Sequence, residues 1–309
     1  MGPSRVRLCW CLLLYCGLVN AFTDKPIHVI FGLPPGSTHQ LIFNTLVENA
    51  PNKKLNFVSE SKPGLSGAIA HQHIAQSKPD GQTIGFVGSS IVINPIFIPN
   101  VTYNAQRDFD SILYVAETHN ALVVRSGLPF NTPKDILSFV TNNPQKLSYG
   151  HNGEGSSTNT TVEDLFKGML LPVPYKGTNF IILDLLGGQI DLAIIPIGPA
   201  IPLASNSKIK IVATTGTQRF KLLNVPTIRE SIKPGDFAVW DRPVWYGFVS
   251  PKGINRETLL FFQQFFTSGI TEDAKNKLER NGITLNIKDL EYVIQQEQSD
   301  WNKFFARKK

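Results

Sequence analysis

From Lys25 onward, short β-branched runs alternate with stretches in which apolar residues recur at helical spacing, the pattern of strand, turn and helix repeated along the chain. Residues 27–31 read as a buried strand, residues 32–37 as a turn, and the chain to Ala50 as a helix with Leu41, Ile42, Thr45 and Leu46 on one face. Residues 55–59 predict a second strand, 66–77 a second helix and 83–88 a third strand. In the second half, Thr132 can cap a helix that has Pro133 in its first turn and Asp135 answering the cap. Residues 147–150, 190–195 and 209–214 are strand candidates, with helices starting near Ser157 and Thr178. Three C-terminal helices are expected over residues 255–268, 271–282 and 289–305, packed back on the first half. This order predicts an α/β protein with two lobes, each a mainly parallel sheet with helices on both faces. The apolar runs 121–125 and 245–250 are expected to be the two crossing segments, giving a first lobe of residues 22–122 and 240–309 and a second of 123–239.

The amino terminus changes the picture of where the chain works. Arg5 and Arg7 precede an apolar stretch over residues 8–19, and Val19-Asn20-Ala21 is a small-residue cleavage site, so residues 1–21 read as a secretory signal peptide and the mature protein as periplasmic. Cys9, Cys11 and Cys16 all lie in that segment, so the mature chain would carry no disulfide and no thiol nucleophile. Tyr15 before Cys16 is bulkier than a lipid-anchoring signal wants. Removing residues 1–21 lowers the formal charge from +6 to +4, and lysines and arginines are scattered outside the Arg307-Lys308-Lys309 tail, so there is no basic stripe of the kind nucleic acid requires.

Four Gly/Ser turns stand between a strand and a helix: Pro35-Gly36-Ser37-Thr38, Pro63-Gly64-Leu65-Ser66-Gly67, Gly88-Ser89-Ser90, and the long GHNGEGSST stretch with His151, Gly153, Gly155 and Ser156. Each can offer backbone N–H groups and a hydroxyl at a helix N-terminus, where about half a positive charge accumulates and accepts anions without lysine or arginine. Geometry alone also favours Gly and Ser in such turns. His39 and His151 are either ligand partners in these turns or plain polar loop residues. His71 and His73 are two apart, which separates them on a helix and points to a surface or boundary role rather than a shared metal. No Gly-x-Ser-x-Gly elbow or phosphate loop is present, and Gly153-Glu154-Gly155 lacks the third glycine of a dinucleotide fingerprint. No catalytic residue, cofactor or metal site is expected, and a hydrolase on this scaffold is disfavoured.

Taken in order, the motifs resemble the solute-binding receptors of tripartite tricarboxylate transporters, the Bug receptors. The similarity runs through Pro34-Pro35-Gly36-Ser37, Glu60-Ser61-Lys62-Pro63-Gly64-Leu65-Ser66-Gly67, Pro79-Asp80-Gly81, Gly88-Ser89-Ser90, Asn94-Pro95, Tyr103 and Arg107-Asp108-Phe109. It continues through Tyr149-Gly150, Gly153-x-Gly155-Ser156, Pro174-Tyr175-Lys176-Gly177, Leu185-Leu186-Gly187-Gly188-Gln189-Ile190-Asp191, Val225-Pro226-Thr227 with Glu230, and Trp245-Tyr246-Gly247-Phe248 before Pro251. The resemblance implies a two-lobed periplasmic binding protein fold of type II-like form that closes on a small carboxylate. It also implies membrane permease subunits as partners, and the receptor itself is expected to be a monomer. Gly36, Ser37, Thr38, Ser66, Gly67, Ser89, Ser90, His151, Gly153, Gly155, Ser156, Tyr175 and Lys176 are the expected ligand-binding residues. Ser37 replaces a glycine of the family's first turn, Gln40 stands where an Asp is usual and Asn44 where an Arg is common, and Ile195-Pro196 occupies the place of a polar or acidic pair. These departures weigh against an amino acid whose ammonium would need an acidic partner. The same fold could instead serve as an extracytoplasmic sensor that signals to a membrane kinase.

Overall fold

The structure, a computed structural model, describes residues 25–51, 55–234 and 238–306. The expected signal peptide and the Arg307-Lys308-Lys309 tail lie outside the described residues.

The chain forms two sheets. The first lobe begins with β1 (Ile27–Phe31), α1 (Thr38–Asn49), β2 (Phe57–Ser61), a single 3₁₀ turn at Leu65–Gly67, α2 (Ala68–Gln76), β3 (Thr83–Gly88), α3 (Ser90–Phe97) and β4 (Phe109–Thr118). The chain then passes through His119 into β5 (Asn120–Arg125), followed by α4 (Pro133–Asn142), β6 (Ser148–His151), α5 (Ser157–Phe166), β7 (Leu171–Pro174), α6 (Thr178–Gly187), β8 (Leu192–Pro196), α7 (Ile197–Ala200), β9 (Ile209–Thr214) and α8 (Ile228–Ser231). It returns through Arg242 into β10 (Val244–Pro251) and ends with α9 (Arg256–Ser268), α10 (Glu272–Glu279), β11 (Ile283–Leu285) and α11 (Leu290–Ala306). The sheet orders are β11-β4-β10-β3-β1-β2 and β7-β6-β8-β5-β9.

One feature differs from the sequence expectation. Residues 121–125 and 245–250 do not themselves cross: they lie within β5 of the second sheet and β10 of the first, and the passages precede them at His119 and Arg242. The sheets are mainly parallel as expected, with β10 running antiparallel to its neighbours β3 and β4, and β5 to its neighbours β8 and β9. The reason is geometric. A strand that enters from the other lobe starts at the edge where the parallel strands finish, so it must run against them.

Alternation along the strands builds a core on each face. Ile27, Val29 and Phe31 of β1 face one layer with Phe86, Phe248, Phe262 and Phe266, whereas Ile30 faces the other with Val87, Trp245 and Val249. Phe248 stacks on Phe266 at 3.7 Å between ring centroids, which anchors α9 to the sheet. In the second lobe, Leu122 and Val124 of β5 face the α4 and α5 side while Ala121 and Val123 face the α6 side. The helix start at Thr132 forms as a capping box: Asp135 N–H donates to Thr132 Oγ1 at 3.2 Å and Thr132 N–H donates to Asp135 Oδ2 at 2.9 Å.

Candidate ligand-binding site

Strand direction decides where the Gly/Ser turns go. β1, β2 and β3 are parallel, so their ends at Phe31, Ser61 and Gly88 share one edge of the first sheet. Tyr246 of β10 pairs with Gly88 and Val244 with Thr118, which puts the start of β10 and the end of β4 on that edge too. In the second sheet His151 ends β6 beside Pro174 of β7, and Asn120 of β5 pairs with Pro196, while Thr214 of β9 lies opposite Ala121. The short passages at His119 and Arg242 therefore hold the two edges face to face, and the cleft between them is the place where ligands bind in open α/β sheets.

Across this cleft the lobes touch. Ser66 Oγ donates to the Glu154 carbonyl at 2.8 Å. The turn that carries Ser66 runs left-handed at four successive residues, with φ of 134° at Gly64, 47° at Leu65, 52° at Ser66 and 91° at Gly67. Two of these have side chains, a strained arrangement that persists only where its surroundings impose it. The constraint is Asn94, fully buried in α3, whose Nδ2 donates to the carbonyls of Leu65 at 3.4 Å and Ser66 at 3.1 Å. On the opposite lobe, Gly155 has φ +73°, and a Cβ there would lie 3.5 Å from Asn94 Oδ1 and from Phe97 Cβ.

Gly155→Val is expected to lose ligand binding while the far-ultraviolet circular dichroism stays unchanged. A β-branched residue is strained at that φ and its branches would wedge against Asn94 and Phe97 as the lobes close. Retention of affinity within a fewfold would make the turn structural only.

Of the expected site residues, Gly36, Ser37, Thr38, Ser66, Gly67, Ser89, Ser90, His151, Gly153, Gly155 and Ser156 lie on the two facing edges. Several of their N–H groups already have acceptors: Gly36 donates to Gln40 Oε1 at 2.8 Å, Gly67 to the Gly64 carbonyl at 3.0 Å, Gly155 to Asn159 Oδ1 at 3.3 Å and Ser156 to the Gly153 carbonyl at 3.3 Å. Ser156 Oγ is occupied as the cap of α5, accepting from Asn159 N–H at 3.2 Å. Tyr175 and Lys176 follow the end of β7 on the second-lobe edge, where Tyr175 N–H donates to the His151 carbonyl at 2.8 Å. The Tyr175 hydroxyl donates to Asp184 Oδ2 at 2.6 Å, and both residues line a groove of about 320 Å³ with Pro174, Phe180 and Leu183. All of its lining residues belong to the second lobe, and it begins beside His151 at the end of β6.

The unpartnered buried polar atoms are more telling, and Ser61, Asn94, His119, Asn120, Asn152 and Thr214 among them were not singled out as site residues from sequence. Ser37 Oγ, His39 Nδ1, Ser61 Oγ, Asn94 Oδ1, His119 Nδ1, Asn120 Oδ1, His151 Nδ1, Asn152 Oδ1 and Thr214 Oγ1 are buried without a hydrogen-bond partner, and all are at or beside the facing edges. Buried polar groups are ordinarily paired, so their concentration here marks a place made for a polar occupant. Only the strand order sets Asn94, Asn120 and Thr214 at or beside the facing edges; in sequence they are isolated. The imidazoles are neutral at pH 7: burial pulls His39 down to about 4 and lowers His151 and His119. His71 is likewise buried rather than at the surface, pulled down to about 3 by burial and by His39, with its Nδ1 3.0 Å from the Tyr103 hydroxyl. It turns inward because α2 packs its inner face over Gly67 and Tyr103. Among the described residues no group of three His, Cys, Asp or Glu side chains is placed to hold a metal.

Known proteins share this architecture. The periplasmic binding protein BugD superposes with a TM-score of 0.82 at 24% identity, over 92% of this chain and 97% of that one. A protein of R. palustris solved with adipate gives 0.81 at 22% identity, over 91% of this chain and 96% of that one. A UPF0065 protein from the gbd 5′ region of Cupriavidus necator is 28% identical over 76% of this chain and 71% of its own length. A family model described as the tripartite tricarboxylate transporter family receptor, TctC, matches residues 42–308, and the chain belongs to that family.

Proposed function

We propose that this receptor captures a small carboxylate between its two lobes in the periplasm and delivers it to the membrane subunits of a tripartite tricarboxylate transporter. The observation that carries this reading is the set of unpartnered buried polar atoms at or beside the two facing sheet edges, with Ser37 and His39 at the N-terminus of α1. Helix N-termini favour negative charge, and Ser37 Oγ, His39 and His151 can each turn a donor toward it. Support for the ligand class comes from the R. palustris relative solved with adipate. Ser37, Thr38, Ser66, Gly67, Ser89 and Ser90 form the first-lobe wall of the site in this reading, and His151, Gly153, Gly155 and Ser156 the second.

A ligand bound only to the folded state stabilises it by about 2.7 kcal/mol at a hundredfold excess over Kd, enough to raise Tm by several degrees. A thermal-shift panel of mono-, di- and tricarboxylates, repeated at raised salt, is expected to show stabilisation by carboxylates and none by their neutral amides or esters, which lack two charged acceptor oxygens. Stabilisation by sugars or divalent metals with no response to any carboxylate would overturn the ligand class.

A further inference from the structure

We propose that His39 of the first lobe and His151 of the second are the direct partners of the ligand's carboxylate groups, and that one of them takes up a proton from solvent when the cleft captures its ligand. This rests on the carboxylate reading above and adds the residues and the proton to it.

The geometry comes first. His39 is the second residue of α1 and His151 the last of β6, so they stand on opposite edges of the cleft, and the Nδ1 of each is covered yet has no partner. Around His39 pack the rings of Tyr246 at 5.0 Å and Phe86 at 5.5 Å, and its nearest titratable neighbours are Tyr246 and the neutral His71. No carboxylate acts on it. Around His151 stand the Tyr149 ring at 5.3 Å, the Gly153 carbonyl and, more remotely, the carboxylates of Glu154 and Glu163. Glu163 is engaged by the Tyr149 hydroxyl at 2.6 Å.

Fixed positive charge beside the two histidines is already engaged among the described residues: Lys62, after β2, pairs with Glu60 at 3.4 Å, and Arg242 in the return passage pairs with Asp300. A carboxylate enclosed without a cationic partner carries a large desolvation penalty. Two neutral imidazoles supply the remedy, because an anion placed beside Nδ1 favours the protonated ring and raises its pKa from the low value that burial imposes. Protonation then adds the missing charge. Because the two rings belong to different lobes, a dicarboxylate, with one group for each, satisfies both.

The sign follows from linkage. If the bound-state pKa exceeds that of the empty receptor, binding takes up protons and affinity tightens as pH falls, by up to about tenfold per pH unit for one proton. Isothermal titration with succinate, malate and adipate, in PIPES and in imidazole, counts the protons through the difference in buffer ionisation heat. For an acid that binds, uptake approaching one proton near pH 6 and a Kd that tightens from pH 8 to pH 6 are expected. His39→Gln or His151→Gln should reduce the uptake and flatten the pH profile, with a fewfold change in affinity at pH 8. Binding with no proton exchanged and a flat profile would overturn the inference while leaving the carboxylate reading intact. Uptake unchanged in both variants would remove these two residues from the role, and the absence of binding by any acid at any pH would sink the carboxylate reading itself. Wild-type proton counts decide the first point even if a variant folds poorly.

Discussion

Glu297→Gln should stabilise the receptor by about 3 kcal/mol at pH 8, and this gain should fade toward pH 4. Glu297 lies in α11, 7% exposed, with Oε2 lacking a partner. Burial pushes its carboxyl up to about 7, which outweighs the opposing pull of the Trp245 indole and the Arg242 guanidinium; Asp300 adds to the rise. An acid whose folded pKa is raised contributes stability at pH below its ordinary value near 4.5 and loses it as pH rises through 7, because ionisation then favours the unfolded chain. A glutamine of the same shape avoids the penalty. Denaturant unfolding at pH 8 and pH 4 tests this, and a loss of stability at pH 8 would show that the carboxylate is paired in solution.

Acid should act in the opposite direction through the histidines. The folded-state pKa values of His39 and His71 lie near 4 and 3, below the ordinary value of 6.5, chiefly because both rings are desolvated. Their contribution is present above pH 6.5 and is lost as pH falls, since only the unfolded chain accepts the protons readily. By pH 5 the two together should cost about 4 kcal/mol, at about 1.4 kcal/mol per pH unit for each. In the wild type Glu297 offsets part of this loss over the same range, so the full acid slope should appear in the Glu297→Gln background. His71→Asn in that background should remove about half of the slope. An unchanged slope would mean that His71 is hydrated or protonated in the folded protein. These opposed responses place the empty receptor's stability maximum near neutral pH.

Both predictions depend on burial that the pattern of residues did not reveal. His71 and His73 look equivalent in sequence, yet one ring is buried against Tyr103 and the other is exposed. Two positions on a helix differ in burial by whatever packs over each, and Tyr103 comes from a segment about thirty residues away. Glu297 carries no sign in sequence that its turn of the helix faces Trp245. The helix starting at Thr132 was legible to the residue, because a capping box is a local hydrogen-bond exchange. The strands over residues 83–88 and 209–214 were equally clear from continuous apolar runs. β4, with ten residues, and the short edge strand β7 were not read as strands, the latter because its alternating prolines disguise a strand that pairs on one side only.

What the sequence determined by itself is therefore local: strand, turn and helix in repeated order, the Gly/Ser chemistry of the turns, and the motif series that resembles the TctC receptors. These rest on backbone propensities and hydrogen bonds that close within a few residues, and they survive any arrangement of the lobes. Tertiary structure decided which polar atoms share the cleft. The reversed strands β5 and β10 set the two carboxyl edges face to face, and that placed His39, Asn94, Asn120, His151 and Thr214 at or beside them from distant parts of the chain. It also assigned several of the turns' own amides to internal acceptors such as Gln40 and Asn159. Whether an N–H faces a ligand or a neighbouring side chain depends on three-dimensional competition for hydrogen bonds, and no spacing of glycines and serines along the chain encodes its outcome.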